Sequence, residues 1–244
     1  MDMNDLALQI VNKDIVFGPV KTWSFSALSV FETCPQKISL SKIAKIPEPQ
    51  HPAAARGTAI HQMAEDYVKG KYAELPKELS KFPVGMKLLK DTYENTPDMI
   101  EMEGDWGFDL GWQPTNYYGA DVWCRVKCDV VLHEDATSLR VIDYKTGKSW
   151  GNEIKHAQQL MLYAIATFEK YPEIEHVSSE LWYLDEGKTL EKNYIRTVAK
   201  EFRKGWHNRA LRMTTATEFD ANPSKANCRF CTYRETGDCE WAVD

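Results

Sequence analysis

Regular spacing of hydrophobic positions is clearest in the second half of the chain, where strands and a helix are predicted in alternation. Alternating hydrophobic and polar residues predict strands, and hydrophobic residues three and four positions apart predict a helix. HisGluAspAlaThrSer is typical of a turn between the first two strands, and AspGluGlyLys of a hairpin turn between the last two. The predicted strands cover about 119–132, 139–145, 177–184 and 190–198, with a helix from about Glu153 to Tyr171.

The rest of the chain predicts mainly helices, interrupted by proline and glycine. Serines suited to cap a helix open the segment 24–44, which Pro35 breaks, and ProGluProGlnHisPro is a loop. The remaining predicted elements are a helix from about Arg56 to Val68 ended by Gly70, a weaker helix at 78–95, one strand within 98–118, and a basic helix at 199–213. This order of elements predicts an α/β fold.

Length and composition fit a globular protein with one large domain, or with one domain and an appendage. The 244 residues are 43% hydrophobic, and 30 Lys and Arg against 36 Asp and Glu give a net charge of −6. This composition excludes a disordered or collagen-like chain and argues against a polycation that coats nucleic acid nonspecifically. The longest nearly apolar stretch, 161–168, is too short to span a membrane, and residues 1–10 lack the features of a secretory signal. We therefore expect a soluble protein of the cytoplasm, or of the host cytoplasm if the chain is viral.

The segment IleAspTyrLysThrGly contains the first candidate chemistry. Side chains alternate along a strand, so Asp143 and Lys145 project to one face and Tyr144 to the other. A carboxylate there could hold Mg²⁺, and the ammonium could orient an attacking water. Asp129 would add a second carboxylate if its strand pairs with this one as a hairpin, and the Tyr144 carbonyl could supply a further oxygen ligand. The alternative for this tripeptide alone is an ordinary surface ion pair.

Two helical segments add residues to the same candidate centre. GlyThrAlaIleHis places His61 near a helix start, where Gly57 permits a close backbone approach, and Glu65 follows one turn later on the same face. Gln159 and Tyr163 are four residues apart on the helix after Lys145 and could contact a DNA backbone or hold the lysine strand in place. Taken singly, His61 would be a structural or exposed histidine and Tyr163 a core residue.

Six cysteines form two groups. Cys124 and Cys128 fall on the hydrophobic side of the predicted strand 119–132, as small buried residues do. The C-terminus has the spacing C-x₂-C-x₇-C, which is typical of metal chelation, and Cys34 is the candidate for a fourth ligand. The four candidate ligands are Cys34, Cys228, Cys231 and Cys239.

Gly-x-x-x-His, an Asp, Asp-x-Lys and Gln-x-x-x-Tyr, in this order, resemble the RecB-type branch of the PD-(D/E)xK nucleases from about Ser24 to Cys239. The resemblance implies a restriction-endonuclease-like core, in which helices flank a central mixed sheet, and metal-dependent cleavage of DNA. It departs from the motif at Cys128, where proline is usual, and at Val126, where glycine is frequent. The implied metal ligands are His61, Asp129, Asp143 and the Tyr144 carbonyl; Lys145 would be the catalytic lysine, supported by Gln159 and Tyr163.

One early and three late cysteines resemble the iron–sulfur subset of these nucleases, which includes CRISPR-associated exonucleases and AddB-type recombination nucleases. The resemblance implies a [4Fe–4S] cluster that ties the two chain ends together. A Zn²⁺ site with the same four ligands and unligated thiols are the alternatives. The implied organisation is a single nuclease domain, 1–244, whose C-terminal segment, 222–244, closes onto Cys34.

The sequence thus predicts a Mg²⁺- or Mn²⁺-dependent DNA exonuclease. Its process would be DNA recombination, repair, phage replication or CRISPR spacer processing, with a recombination or CRISPR-adaptation protein as a potential partner and no membrane contact. The alternative function is a noncatalytic DNA-binding or assembly subunit that keeps the nuclease fold. Candidate contacts to a DNA strand are Trp150, Lys148, Arg203 and Lys204, although a solvated helix face explains the last two equally well.

Overall fold

The computed structural model describes residues 15–244, so the prediction about a secretory signal in residues 1–10 lies outside the described residues. The chain divides into two compact units. Of the described residues, unit 1 comprises 15–50, 107–125 and 205–244, and unit 2 comprises 51–106 and 126–204. The single-domain organisation stays a prediction.

Strands and helices alternate through both units, and the predicted mixed α/β class is confirmed. The strands are β1 (Trp23–Ser24), β2 (Ile100–Phe108), β3 (Pro114–Thr115), β4 (Cys124–His133), β5 (Ser138–Lys145), β6 (His176–Tyr183) and β7 (Lys188–Ile195). The α-helices are α1 (Phe25–Thr33), α2 (Pro35–Ile38), α3 (Pro52–Val68), α4 (Pro83–Asn95), α5 (Glu153–Lys170), α6 (Arg196–Thr214), α7 (Lys225–Cys228) and α8 (Thr232–Glu235). A π-helical turn covers Ser39–Ile43, and 3₁₀ turns cover Lys77–Leu79 and Pro97–Met99.

The sheet of unit 2 is mixed. Its strands lie in the order β2, β4, β5, β6, β7, with antiparallel β4–β5 and β6–β7 pairs and a parallel β5–β6 pair. The parallel pair requires a crossover, which α5 supplies. Helices α3 and α4 bury side chains with this sheet in one hydrophobic cluster. Its large members include Tyr67, Met86, Ile142, Tyr144 and Trp182.

Unit 1 contains two short strand pairings and an aromatic core. β1 pairs in parallel with the first two residues of β4, and β3 pairs with the last two residues of β2. Trp23 lies within about 6 Å, ring centre to ring centre, of three other buried tryptophans. These are Trp112, Trp123 and Trp206. Buried aromatic side chains, and not an extended sheet, therefore form the core of this unit.

Several predicted boundaries are confirmed because local chemistry fixes them. Ser24 caps α1 by accepting a hydrogen bond from the Ala27 amide, and Pro35 begins the next helix. The predicted helix 153–171 ends one residue earlier, at Lys170. Gly70 and Gly187 adopt positive φ angles of 76° and 69°, as the turn after α3 and the hairpin turn between β6 and β7 require.

Two boundaries next to helices were predicted wrongly. Helix α3 begins at Pro52 instead of Arg56, because the His51 ring accepts a hydrogen bond from the Ala53 amide and proline suits the first helical position. The last strand ends at Ile195 instead of residue 198, since α6 starts at Arg196. The Arg196 guanidinium donates to carbonyls at the C-terminal end of α5 and thereby fixes the start of α6.

The start of the long central strand was also predicted wrongly. β4 begins at Cys124, five residues after the predicted start at 119, because a turn occupies the residues before it. The Asn116 carbonyl accepts from the Gly119 amide, and the Asn116 side chain accepts from the Tyr118 amide. An asparagine that bonds its own following backbone favours a turn over a strand.

The remaining weak predictions are partly confirmed. The helix expected at 78–95 is a 3₁₀ turn followed by α4, which begins at Pro83, and the region 98–118 holds β2 and the short β3. Among residues 15–244, no helix combines the length and hydrophobicity needed to cross a membrane.

Candidate active site

The hairpin of β4 and β5 brings two acidic side chains together in unit 2. Val130 is paired with Ile142 across the two strands, and Asp129 and Asp143 lie one residue beyond that pair. Both carboxyl groups are buried: Asp129 is 7% exposed and Asp143 is 6% exposed. Two buried carboxylates on neighbouring strands repel each other, so the site favours the binding of a cation.

Asp129 is oriented by two neighbours. Its Oδ2 accepts a hydrogen bond of 2.6 Å from the Tyr144 backbone amide, and its Oδ1 lies 3.0 Å from His61 Nδ1. Burial raises the pKa of Asp129, and the charge of Asp143 raises it further, against the lowering effect of His61. Asp129 is therefore a carboxylate whose charge would be stabilised by a bound cation.

His61 comes to the site from α3. Burial lowers the pKa of His61, but the hydrogen bond and the charge of Asp129 outweigh it and raise the pKa above its usual value. The predicted partner one turn later behaves differently, because Glu65 forms an ion pair with Lys69 at 2.5 Å. The structure therefore brings His61 to the acidic centre and pairs Glu65 with Lys69 instead.

Asp143 is held by two residues of α5. The Tyr163 hydroxyl donates to Asp143 Oδ1, and Gln159 Nε2 lies 2.7 Å from the same hydroxyl and 3.5 Å from the carboxylate oxygen. Burial raises the pKa of Tyr163 well above its usual value, and Asp143 raises it further, so the hydroxyl stays a donor. The spacing of four residues places both side chains on the helix face towards β5.

Lys145 occupies the position that strand alternation predicts. Its ammonium contacts Asp143 Oδ2 in an ion pair, whereas the Tyr144 ring joins the hydrophobic cluster. That oxygen is buried and accepts no hydrogen bond of good geometry, which leaves the lysine contact as its electrostatic partner among the described residues. The predicted opposite orientation of Asp143 and Tyr144 is confirmed.

A divalent metal ion suits the donor set of this centre. Two carboxylates, an imidazole and a backbone carbonyl are ligands that Mg²⁺ and Mn²⁺ accept, and the under-bonded Asp143 Oδ2 can accept a cation. The arrangement is not a closed metal site, since no three His, Cys, Asp or Glu side chains of residues 15–244 are positioned to hold a metal ion. The metal ligands therefore remain a prediction.

The loop after Lys145 is attached to the turn between β6 and β7. Asp185 accepts a hydrogen bond of 2.6 Å from the Gly147 amide and two hydrogen bonds from the Arg56 guanidinium. Glu186 accepts hydrogen bonds from the amide and the hydroxyl of Ser149. Sequence reasoning assigned these acidic residues to a hairpin turn and missed their anchoring role. Arg56 and Asp185 are 129 positions apart, and Ser149 and Glu186 are 37 positions apart, so no local signal could have revealed these bonds.

Gly57 is close to the same loop. A Cβ atom at this position would lie 3.1 Å from Thr146 Oγ1, which is tighter than an ordinary contact. The expected close approach at Gly57 is therefore made to the residue that follows Lys145.

The candidate strand contacts separate into two kinds. Trp150 is 84% exposed in the loop after β5, and Lys148 and Lys204 are exposed as well. Arg203, in contrast, is 4% exposed and pairs with Glu169 at 2.7 Å. The prediction that Arg203 contacts a DNA strand is wrong, because the guanidinium is held in the interior of unit 2.

The four candidate cluster ligands lie in unit 1. All are half-buried free thiols, whereas Cys124 and Cys128 are fully buried in β4, as predicted. The Asn222 amide donates to Cys34 Sγ at 3.5 Å, and the side chains of Asn222 and Asn227 donate to the Thr33 carbonyl. These bonds attach the segment before Cys228 to the chain beside Cys34.

Few other contacts order the C-terminal cysteine segment, which we define as residues 222–244. Tyr233 is its one fully buried side chain, and the Tyr233 hydroxyl donates to the Ile46 carbonyl. Helices α7 and α8 have four residues each, which is too short for independent stability. The cysteine segment therefore has the chemistry for a stabilising metal centre, which stays a prediction.

Comparison with known proteins places the chain among nucleases. The family model described as the PD-(D/E)XK nuclease superfamily matches residues 22–236, most of the chain. No curated protein sequence matches the chain. The restriction-endonuclease-like α/β fold predicted from the motifs is consistent with this match and with the mixed sheet.

Solved structures with a similar backbone include the crystal structure of SSO0001, at 14% identity and a TM-score of 0.46, covering 100% of this chain and 99% of that one. An alkaline exonuclease from Laribacter hongkongensis aligns at 9% identity and a TM-score of 0.39, covering 79% of this chain and 87% of that one. The same exonuclease in complex with dAMP aligns at 10% identity and a TM-score of 0.38, with the same coverage.

Proposed function

The chain belongs to the PD-(D/E)XK nuclease superfamily, and on that premise we propose that it is a Mg²⁺- or Mn²⁺-dependent DNA exonuclease. The carrying observation is the paired burial of Asp129 and Asp143 with Lys145 in contact with Asp143. A buried acidic pair with one adjacent lysine is an arrangement for binding a cation and a phosphate together. A noncatalytic subunit would have no chemical reason to keep two buried carboxylates that repel each other.

Each residue of the centre has a distinct role in the proposed reaction. Asp129, Asp143, His61 and the Tyr144 carbonyl would hold the metal ion. A divalent ion bound there would lower the pKa of a water and neutralise phosphate charge. Lys145 would orient that water for in-line attack on phosphorus and stabilise the charge that develops on the phosphate oxygens.

Gln159 and Tyr163 act on the reaction through Asp143. The Tyr163 hydroxyl holds Asp143 Oδ1, which leaves Oδ2 to face Lys145. Gln159 holds the tyrosine hydroxyl in turn. We assign both as positioning residues, because neither needs to touch DNA for its removal to disturb the carboxylate.

Digestion of DNA tests this function directly. A duplex and a single strand, each labelled separately at its 5′ and 3′ ends, would be incubated with Mg²⁺, with Mn²⁺ and with chelator. We expect progressive release of nucleotides from an end with either metal and none with chelator. Metal-independent cleavage would contradict the mechanism, and absence of both cleavage and Mn²⁺ binding would favour the noncatalytic subunit.

We further propose that the cysteine segment holds a [4Fe–4S] cluster on Cys34, Cys228, Cys231 and Cys239. The support is the motif resemblance, the attachment of Asn222 and Asn227 beside Cys34, and the scarcity of other stabilising contacts in the segment. The cluster would be structural, since it supplies cross-links to a segment that has one fully buried side chain.

Anaerobic purification distinguishes the cluster from its alternatives. A brown protein with a broad visible absorption band and about four iron atoms per chain is the expected result. Colourless protein with stoichiometric zinc would replace the cluster by a Zn²⁺ site. Colourless protein without metal would contradict both. If the cluster is present, we assign the chain to the RecB-type iron–sulfur subset, with DNA recombination, repair, phage replication or CRISPR spacer processing as its process.

A further inference from the structure

His156 lies on the same face of α5 as the residues that hold Asp143. It precedes Gln159 by three residues and Tyr163 by seven, which is the spacing of one helix face. His156 is thus one to two turns nearer the N-terminal end of α5 than those two residues. Along β5, Lys145 is displaced from Asp143 by two residues, or roughly 6.6 Å.

Tyr183 connects His156 to the lysine end of β5. Lys145 and Tyr183 are direct partners in the parallel β5–β6 register, so their side chains project from the same face of the sheet. The Tyr183 hydroxyl lies 2.6 Å from His156 Nδ1. The ammonium, the phenol and the imidazole therefore lie on the same face of the sheet, and the charges of Lys145 and Asp143 both act on His156.

The protonation of this pair leaves one donor available for a ligand. We assign the phenol as the donor in the 2.6 Å hydrogen bond between the Tyr183 hydroxyl and His156 Nδ1, because burial raises the pKa of Tyr183 and the phenol keeps its proton. Burial lowers the pKa of His156, and the charge of Lys145 lowers it further, which favours the neutral imidazole. A neutral imidazole that accepts at Nδ1 carries its proton on Nε2.

We infer that His156 Nε2 and the Lys145 ammonium bind oxygens of the same phosphate group, as a phosphate subsite next to the acidic centre. The inference rests on the proposed function and adds a substrate contact to it. Lys145 neutralises one acidic oxygen and has further N–H donors, and His156 supplies a donor without a second full charge. The class of ligand is a phosphodiester or phosphate monoester.

His156 is a phosphate-binding residue in this assignment, and Tyr183 is a positioning residue. The phenol fixes the imidazole tautomer and orientation but does not reach the phosphate. A purely structural His156–Tyr183 bond predicts something different: both residues would then affect unfolding, and neither would affect phosphate affinity.

Steady-state kinetics on the full chain measure the contribution of His156. Because a hydrogen bond to a charged group is involved, we expect His156→Ala to lower kcat/KM for DNA by about 10- to 100-fold. His156→Gln should recover most of that loss, since a glutamine amide can place an N–H near the position of Nε2. Tyr183→Phe should lower kcat/KM by less than His156→Ala, about 3- to 10-fold.

A matched histidine separates this effect from a general loss of stability. His176 is exposed at the start of β6, and His176→Ala should leave kcat/KM within about twofold of the wild-type value. The unfolding temperature of each variant would be recorded alongside. Unchanged kcat/KM in His156→Ala would overturn the inference. Loss of activity in His156→Ala without any recovery in His156→Gln would overturn it as well.

A binding experiment without metal keeps the subsite separate from the nuclease proposal. The imidazole signals of ¹⁵N-labelled protein would be followed while inorganic phosphate is added, at constant ionic strength, with chloride as the control anion. We expect the His156 signals to shift with phosphate, to shift less with chloride, and to lose the phosphate response in Lys145→Met. If the protein cleaves no DNA but this response is present, the proposed function fails and the subsite stands. An absent phosphate response overturns the subsite whatever the nuclease activity.

Discussion

The acidic centre of unit 2 and the cysteine segment of unit 1 achieve order in opposite ways. Asp129 and Asp143 are oriented by backbone register, by His61 and by Tyr163, and all of these partners belong to strands or helices of at least eight residues. The cysteine segment has two four-residue helices and one fully buried side chain. The scaffold thus fixes the first region, whereas the second depends on a few hydrogen bonds, made to Thr33, Ile46 and Glu48.

This difference indicates what a bound metal would do in each region. At the acidic centre the fold already holds the ligands, so a divalent ion would relieve repulsion and serve chemistry without shaping the fold. In the cysteine segment the metal centre would supply the missing cross-links, so its loss would be a loss of structure. Removing ligands should therefore abolish activity in unit 2 and local order in unit 1.

The largest expected effect concerns the repelling carboxylates. Asp129→Asn should lower kcat by at least about 100-fold, by analogy with the loss of one preorganised catalytic group. The same change should raise the free energy of unfolding of the metal-free protein, because it removes a buried charge next to Asp143. The Tm of the metal-free variant should therefore lie above that of the metal-free wild type.

Asp98→Asn is the matched control for that prediction, since Asp98 is exposed in a short turn. It should change neither cleavage nor Tm measurably. A lower Tm for Asp129→Asn at wild-type activity would contradict the description of the acidic pair as strained and functional.

Loss of one cluster ligand should have the next largest effect, and in the other unit. Cys228→Ser should remove the visible absorption band and lower hydrogen-exchange protection across 225–239 by about 100-fold, which corresponds to about 3 kcal/mol of local stability. Cys124→Ala serves as the control, because Cys124 is a buried β4 residue. That variant should lose some global stability and keep the absorption band. Equal protection in Cys228→Ser and wild type would remove the structural role of the cluster.

A smaller effect is expected from the residues that only orient Asp143. Tyr163→Phe deletes the hydroxyl that donates to the carboxylate and should lower kcat by about 10-fold, the value of one hydrogen bond to a charged group. Tyr194→Phe is the control, because Tyr194 is a half-buried residue of β7, and this variant should leave kcat unchanged. If Tyr163→Phe cleaves as fast as wild type, Asp143 is held by the sheet alone.

The smallest expected effect concerns exposed aromatic side chains. Trp150→Ala should weaken binding of single-stranded DNA by about 10-fold, which is the lower range of base–aromatic stacking, and weaken duplex binding less. Trp241 is 54% exposed in the cysteine segment, and Trp241→Ala is the matched control. Fluorescence anisotropy with labelled strands would measure both variants. Equal losses in the two variants would indicate a nonspecific surface effect.

Sequence patterns predicted those parts of the fold that local chemistry determines. Strand alternation placed Asp143 and Lys145 on one face, and helical spacing placed Gln159 and Tyr163 together. The hairpin of β4 and β5 followed from two alternating runs and a polar turn. These features depend on residues close together in the sequence, so a single chain reveals them.

Contacts between distant residues could not be predicted in this way. The Arg56–Asp185 ion pair and the His156–Tyr183 hydrogen bond join residues whose neighbours carry no shared pattern. Arg203 was misjudged because a basic helix suggests an exposed face, whereas Glu169 draws its guanidinium inside. Positive charge on a predicted helix therefore does not by itself identify a DNA contact, because the exposure of each side chain must also be known.

Lys145→Ala tests the central claim most directly. The variant and the wild-type protein would be compared in DNA binding and in cleavage of end-labelled DNA with Mg²⁺. We predict that the variant loses little DNA affinity, since Lys145 contacts one phosphate among many, and cleaves DNA at least about 100-fold more slowly, because Lys145 also stabilises the charge that develops on that phosphate during the reaction. Cleavage by Lys145→Ala at a rate close to that of the wild type would contradict the assignment of this lysine and of the acidic centre beside it.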